Sequence, residues 1–150
     1  MPEDRDQLLA MFRETRADFL AAIAGLSDDK LVERSIDGWS VAHHMMHIAV
    51  WDELRAAEVE RISAGHASAW KMSREHDDVY NDMAYTLRKD FSLAQVRWEY
   101  ETSRRKLLDA ITAATDVGLD ASRYGEPGLV SRHEFEHAGW IRAWRAKSSQ

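Results

Sequence analysis

The residues best suited to chemistry in this chain are its seven histidines, His43, His44, His47, His66, His76, His133 and His137. Two pairs, His43/His47 and His133/His137, are spaced i, i+4. On a helix that spacing sets both rings on one face, close enough to share a metal ion. Random placement of this many histidines gives about 0.3 such pairs, so one pair would carry little weight and two carry more. The second pair is spelled HEFEH, His133 to His137, the H-E-x-x-H pattern that many zinc proteases place on a helix.

The protease reading fails downstream of His137. Zincins draw a third ligand from further along the chain, and after His137 the sequence is AGWIRAWRAKSSQ, without His, Asp or Glu. Nor does any stretch read as the sheet those enzymes use. A third ligand for His133 and His137 must therefore come from upstream. The stretch WSVAHHMMHIAVW, Trp39 to Trp51, offers His47 on a second helix, and inward-facing side chains of different helices can meet in the core of a bundle.

Composition narrows the chemistry further. There is no cysteine, so disulfides, thiolate ligands and a cysteine nucleophile are all excluded, and thiol chemistry would need an external thiol. The formal charge is −6 over 150 residues, with a sequence pI near 5.6. That argues against nucleic acid or an anionic membrane as the main partner, since both need a basic face. The start, MPEDRDQLL, is too acidic for a signal or transit peptide, and no apolar run approaches a membrane span, so a cytoplasmic location is expected. The length and the 45% apolar content suit one domain over residues 1–150.

The elements that must position the histidines are helical nearly throughout. Leu8, Leu9, Phe12, Phe19, Leu20 and Ile23 recur at three- and four-residue steps, predicting a helix over about 3–24 that stops at Gly25. Ser27, Asp28 and Asp29 begin a short extra turn. Asp37-Gly38 marks a turn, and Ser40 caps a long helix over about 40–64. Residues 65–78 read as a loop and 79–89 as a short helix. Ser92 and Gln95 form a capping box, with Phe91 and Val96 as a staple, for a helix to about Ala114. After a loop over 115–128, a last helix covers about 130–146. The result is an all-α, four-helix bundle.

Trp39-Ser40 followed by His47-Ile48-Ala49 and Trp51 resembles the second-helix motif of the DinB/YfiT-like metal-binding four-helix bundles. His133, His137, Gly139 and Ile141 are similar to that family's last-helix pattern, H-x-x-x-H-x-G-x-I. The order and the separation of the two motifs match as well. The resemblance implies His47, His133 and His137 as a metal triad. It also implies a homodimer and a small-molecule substrate, in a family that includes thiol-dependent transferases and isomerases.

Three imidazoles leave the double positive charge of a divalent ion intact, with a coordination position open. Such a site can lower the pKa of bound water to about 7, polarise a substrate oxygen, or take an external low-molecular-weight thiolate. Nitrogen ligands suit zinc, nickel, iron or copper. A metal-dependent transferase or hydrolase is thus the leading reading, and a non-catalytic metal- or ligand-binding helical dimer the alternative.

Around the triad, Glu134 has two readings. It is a general base, or it is the far half of a Ser131–Glu134 capping box with Val130 and Phe135 as staple; a helix starting nearer Pro127 would free it. His43 and His44 are candidates to orient the ligands. Asp52 and Glu53 are candidates as well, or plain exposed charges. Trp140 and Trp144 fall one and two turns beyond His137 and would line a pocket or join the core. Arg123 and Tyr124 stand before the last helix, where they would meet an anionic substrate. Trp70 is expected to cover the site or an interface, His66 and His76 to be solvated, and Asn81 resembles a family asparagine.

Overall fold

The computed structural model describes residues 1–70 and 74–149 and is helical, without strands among those residues. In chain order the helices are α1 (Arg5–Ile23), α2 (Asp28–Val32), α3 (Val41–Ser63), α4 (Arg74–Arg88), α5 (Leu93–Ala113) and α6 (His133–Ser148). A 3-10 turn covers Ala121–Arg123. The four long helices α1, α3, α5 and α6 form the bundle. α1 and α3 each pack on both α5 and α6, so α1 and α3 stand on one diagonal and α5 and α6 on the other. Helices on a diagonal cannot be joined by a tight turn. The α1–α3 connection accordingly carries α2, and the α5–α6 connection carries the 3-10 turn.

Local signals set most boundaries. Asp4 caps α1, Ser27 caps α2 and Ser92 caps α5, each side chain accepting from the backbone three residues on. Ser92 Oγ accepts from Gln95 N at 3.1 Å, the forward half of the expected box. In the turn before α3, Asp37 and Gly38 both have positive φ, and Ile36 and Trp39 exchange backbone hydrogen bonds of 3.0 and 2.9 Å. That is the geometry of a two-residue primed turn, which needs such residues.

Two boundaries differ from expectation. α4 begins at Arg74, so residues 74–78 are helix rather than loop, and His76 is an exposed helical residue. Ala84 is the one residue of α4 that is fully buried, which leaves its polar first turn without a core-facing pattern to read. α6 begins at His133 behind Arg132, whose side chain makes no cap bond; Ser131 Oγ accepts from His133 N at 3.3 Å instead of from Glu134 N, so the Ser131–Glu134 capping box does not form. Val130 and Phe135, the expected staple, both remain substantially exposed.

The core is divided in two. One apolar cluster holds Phe19, Val41, Met46, Ile48, Tyr100 and Ile141; the other holds Leu8, Phe12, Val59, Leu107, Ile111 and Leu129. Between them lies a group of buried charges.

Candidate metal centre

Helix α3 is held at its start by an unusual box. Ser40 Oγ accepts from His43 N at 3.1 Å, and His43 Nδ1 accepts from Ser40 N at 3.0 Å, the role a glutamate or glutamine usually fills. His43 Nε2 lies 3.2 Å from Lys89 O, just past α4. With Nδ1 accepting, the proton is on Nε2, which donates to that carbonyl. His43 therefore caps and tethers a helix and, among the described residues, makes no hydrogen bond or ring contact with the triad, contrary to the orienting role expected for it.

One turn further along α3 is His47, facing His133 and His137 from α6. His133 Nε2 lies 3.0 Å from His47 Nε2 and 3.0 Å from His137 Nε2. One ligand atom from each of the three lies within 4.8 Å of the others, with His137 buried and the other two partly buried. Nitrogens about 2.0–2.1 Å from one ion stand roughly 2.8–3.4 Å apart for bond angles between 90° and the tetrahedral value. The observed spacings fit such an ion, and the all-imidazole donor set fits a divalent transition metal.

His44 extends the cluster. Its Nδ1 lies 2.7 Å from His137 Nδ1. With His137 Nε2 turned to the triad, its Nδ1–H donates to His44, which places the His44 proton on Nε2. That Nε2 is buried and has no hydrogen-bond partner among the described residues. Were His137 to ligate an ion, His44 would fix its ring orientation and tautomer. His44→Leu is expected to weaken zinc affinity by about 10-fold or more while leaving the stoichiometry near one, read by competition with a chromogenic chelator. Unchanged affinity would remove His44 from this role.

The cluster is built for neutral imidazoles. Burial above all pushes His44 and His47 down to about 4 and His133 to about 3, and lowers His137 as well. The charge of Arg55 adds to the effect on His47 and His133. In metal-free protein the unfolded chain then takes protons first as pH falls. The stabilisation is complete above about pH 6.5 and is lost as pH falls toward the folded values near 4. At about pH 5 each of these imidazoles costs roughly 2 kcal/mol relative to neutral pH. Thermal unfolding of chelator-treated protein is expected to show a clear fall in Tm between neutral pH and pH 5, and a flat profile would contradict the burial.

A cleft of about 990 Å³ opens onto the triad, of a size that suits a small molecule. Trp39, Trp51 and Trp140 line it beside the histidines. Trp140 is 55% exposed, its ring centroid 4.7 Å from that of His137, as a pocket wall requires. Trp39 packs edge-on against the rings of His43, His44 and His47 and stacks on Tyr85. Trp51 Nε1 donates to Asn81 Oδ1 at 2.7 Å, which gives that asparagine a positioning contact on the cleft wall. Trp70 packs edge-on to Trp51 and Tyr80.

Three expected pocket residues lie elsewhere. Trp144 is partly buried against the first apolar cluster. Tyr124 packs on the second cluster and donates to Gly118 O at 2.6 Å. Arg123 is exposed and pairs with Asp120 at 3.4 Å. Their position in sequence, just ahead of α6, does not bring them to the cleft because the chain from 125 to 132 intervenes. His66 is exposed, as expected.

Glu134 does not close the expected capping box, and its carboxylate is held by other side chains of the bundle. Its carboxylate is buried and points across the bundle: Oε1 accepts from Arg16 Nε at 2.7 Å and from the Tyr100 hydroxyl, and Oε2 lies 2.7 Å from Arg104 Nη2. Burial first of all raises the Tyr100 phenol, so it stays a donor. Asp52 is not an exposed charge but 1% exposed, holding Arg104 through 2.8 and 3.2 Å bonds and Arg16 at 3.3 Å. Glu53, by contrast, is half exposed and pairs with Lys106 on the surface. Each bundle helix contributes to this charged node: Arg16 from α1, Asp52 and Arg55 from α3, Tyr100 and Arg104 from α5, and Glu134 from α6. Arg55 is 5% exposed, lines the cleft, and was not singled out by sequence reading, which has no signal to separate a buried helical arginine from a surface one.

The comparisons with known proteins fit this picture. An uncharacterised protein from Escherichia coli UTI89, known from a crystal structure, superposes with a TM-score of 0.78 at 14% identity, covering 99% of this chain and 96% of that one. At that identity the likeness shows the fold alone. No curated protein matches the chain. The family model for the DinB superfamily matches residues 11–143, a span that includes all three triad histidines and all four bundle helices in whole or in large part, and the chain belongs to that superfamily.

Proposed function

We propose that the chain is a metal-dependent enzyme acting on a small molecule, a thiol-dependent transferase or a hydrolase. The observation that carries this reading is the cleft opening directly onto three converging imidazole nitrogens. Three protein ligands leave room for an exogenous one, and a divalent ion there would supply Lewis acidity toward a substrate oxygen or an incoming thiolate. The chain's own residues hold that geometry. His44 orients His137, and the tryptophans give the cleft apolar walls that exclude water from a bound substrate. The chain has no thiol of its own, so the transferase reading requires a low-molecular-weight thiol as co-substrate.

The test has two stages. Protein purified without a histidine tag is incubated with zinc, nickel or iron, and bound metal is measured by elemental analysis. The metal-loaded protein is then assayed with a panel of low-molecular-weight thiols and electrophilic substrates, with water as the competing nucleophile. A loaded protein that turns over neither thiols nor hydrolysable esters and amides would favour the second reading, a non-catalytic metal- or ligand-binding homodimer. In support of that dimer, Val79, Met83 and Leu87 form an i, i+4, i+8 stripe on α4, each about 60% exposed. A monomer by light scattering would remove the dimer from either reading.

A further inference from the structure

The charged node is unbalanced. Three guanidiniums, of Arg16, Arg55 and Arg104, face two carboxylates, of Asp52 and Glu134. Arg16 and Arg104 hold both carboxylates at closer range than Arg55 does, although Glu134 Oε2 makes only an ion-pair contact and no hydrogen bond. Asp52 is bonded by both at 2.8 to 3.3 Å, and Glu134 lies 2.7 Å from each. Arg55 stands further off. Its Nη1 lies 4.0 Å from Asp52 Oδ1, and its Nε donates to Pro127 O at 3.0 Å. A guanidinium has five N–H donors in a planar fork, and an uncompensated buried charge is costly. Burial, partly offset by Asp52, pushes Arg55 down to about 10, which still leaves it charged at neutral pH.

Of the node's three cations, this underpaired one is the one that borders the ligand space. Arg55 lines the cleft together with His47 and His133, two turns along α3 from His47. We infer that Arg55 is the anion seat of the cleft, and that the small molecule meeting the metal carries a carboxylate, which would complete the node as its third negative group. This rests on the proposed function only in taking the cleft as the ligand site. A carboxylate matches the guanidinium fork with two parallel bonds. A dianion such as phosphate is disfavoured by the acidic rim, where Asp77, Asp78, Glu126 and Glu136 outnumber Arg74 and Arg132. The tryptophan walls favour an apolar body behind the carboxylate.

The probes are benzoate, its neutral isostere benzamide, and inorganic phosphate, titrated by calorimetry into metal-loaded and chelator-treated protein. Benzoate is expected to bind at least tenfold more tightly than benzamide in both preparations, and phosphate more weakly than benzoate. Arg55→Gln is expected to lose the tenfold preference, and Arg55→Lys to keep part of it. Metal content and Tm are measured alongside for each variant. If Arg55→Gln does not fold, the wild-type preference and the Arg55→Lys titration still decide. Equal binding of benzoate and benzamide by wild type, no binding of either, an undiminished preference in Arg55→Gln, or tighter binding of phosphate would each overturn the assignment. Failure of the metal reading shows separately, as absent metal in the wild-type preparation, and leaves the titration of the metal-free protein to be read.

Discussion

His133→Ala is expected to empty the metal site. His133 Nε2 is the shared neighbour of the triad, 3.0 Å from both other ligand nitrogens. Without it two imidazoles remain, on different helices, and an ion would have to fill half or more of its coordination with water. Loss of an outer-shell partner costs 10- to 100-fold in affinity, so loss of the central ligand is expected to cost about 100-fold or more. Elemental analysis after incubation with zinc and removal of free metal should give less than about a tenth of an equivalent, where the parent holds close to one. His66→Ala is the control, an exposed histidine away from the triad, and should match the parent. A His133→Ala protein that still carries a full equivalent would sink the triad.

Glu134→Ala is expected to give the largest loss of stability among single substitutions at the site. It leaves Arg16 and Arg104 buried with Asp52 as their shared carboxylate, and strips the Tyr100 hydroxyl of its acceptor. Removing one partner of a buried ion pair costs about 3–5 kcal/mol. For a chain of this size that is a fall in Tm of roughly 6–20 °C. Thermal unfolding of metal-free protein is the right measurement, since it separates the node from the triad. Glu134→Gln, which keeps the volume, tests the competing role as a general base. A Gln variant with the parent's Tm and metal content but no turnover would return Glu134 to catalysis.

The triad and the node show what a sequence reveals and what it hides. His47, His133 and His137 were legible because helical spacing and the order of the two motifs restrict which rings can meet. Ser40 and Ser92 were legible because a cap is a local decision of four residues. The Ser131–Glu134 spelling carried the same local signal and misled, because at that position burial against Arg16 and Arg104 outweighs a cap bond at a helix end. Arg16, Asp52, Arg55 and Arg104 gave no sign of burial. Each is a charged residue on a helix, and only the meeting of four helices distinguishes them from a solvated face. The early start of α4 was hidden because its first residues, Arg74 to Asp78, are all polar, and its apolar face begins only at Val79.

The charged node also works as an axial key for the bundle. A helix of Leu, Val and Ala alone could slide along its neighbours by a turn, about 5.4 Å, and still bury apolar surface. Here such a slip would drive Asp52, Arg104 or Glu134 out of its pairing and against one of the two apolar clusters on either side, at the cost of burying an unpaired charge. The heights of α3 and α6 are thereby locked to each other by groups that never touch the metal. His47 and His133 consequently stand level before any ion arrives. Uptake should behave as capture by a finished site: fast, with little change in helix content, and with the chain already folded in its absence.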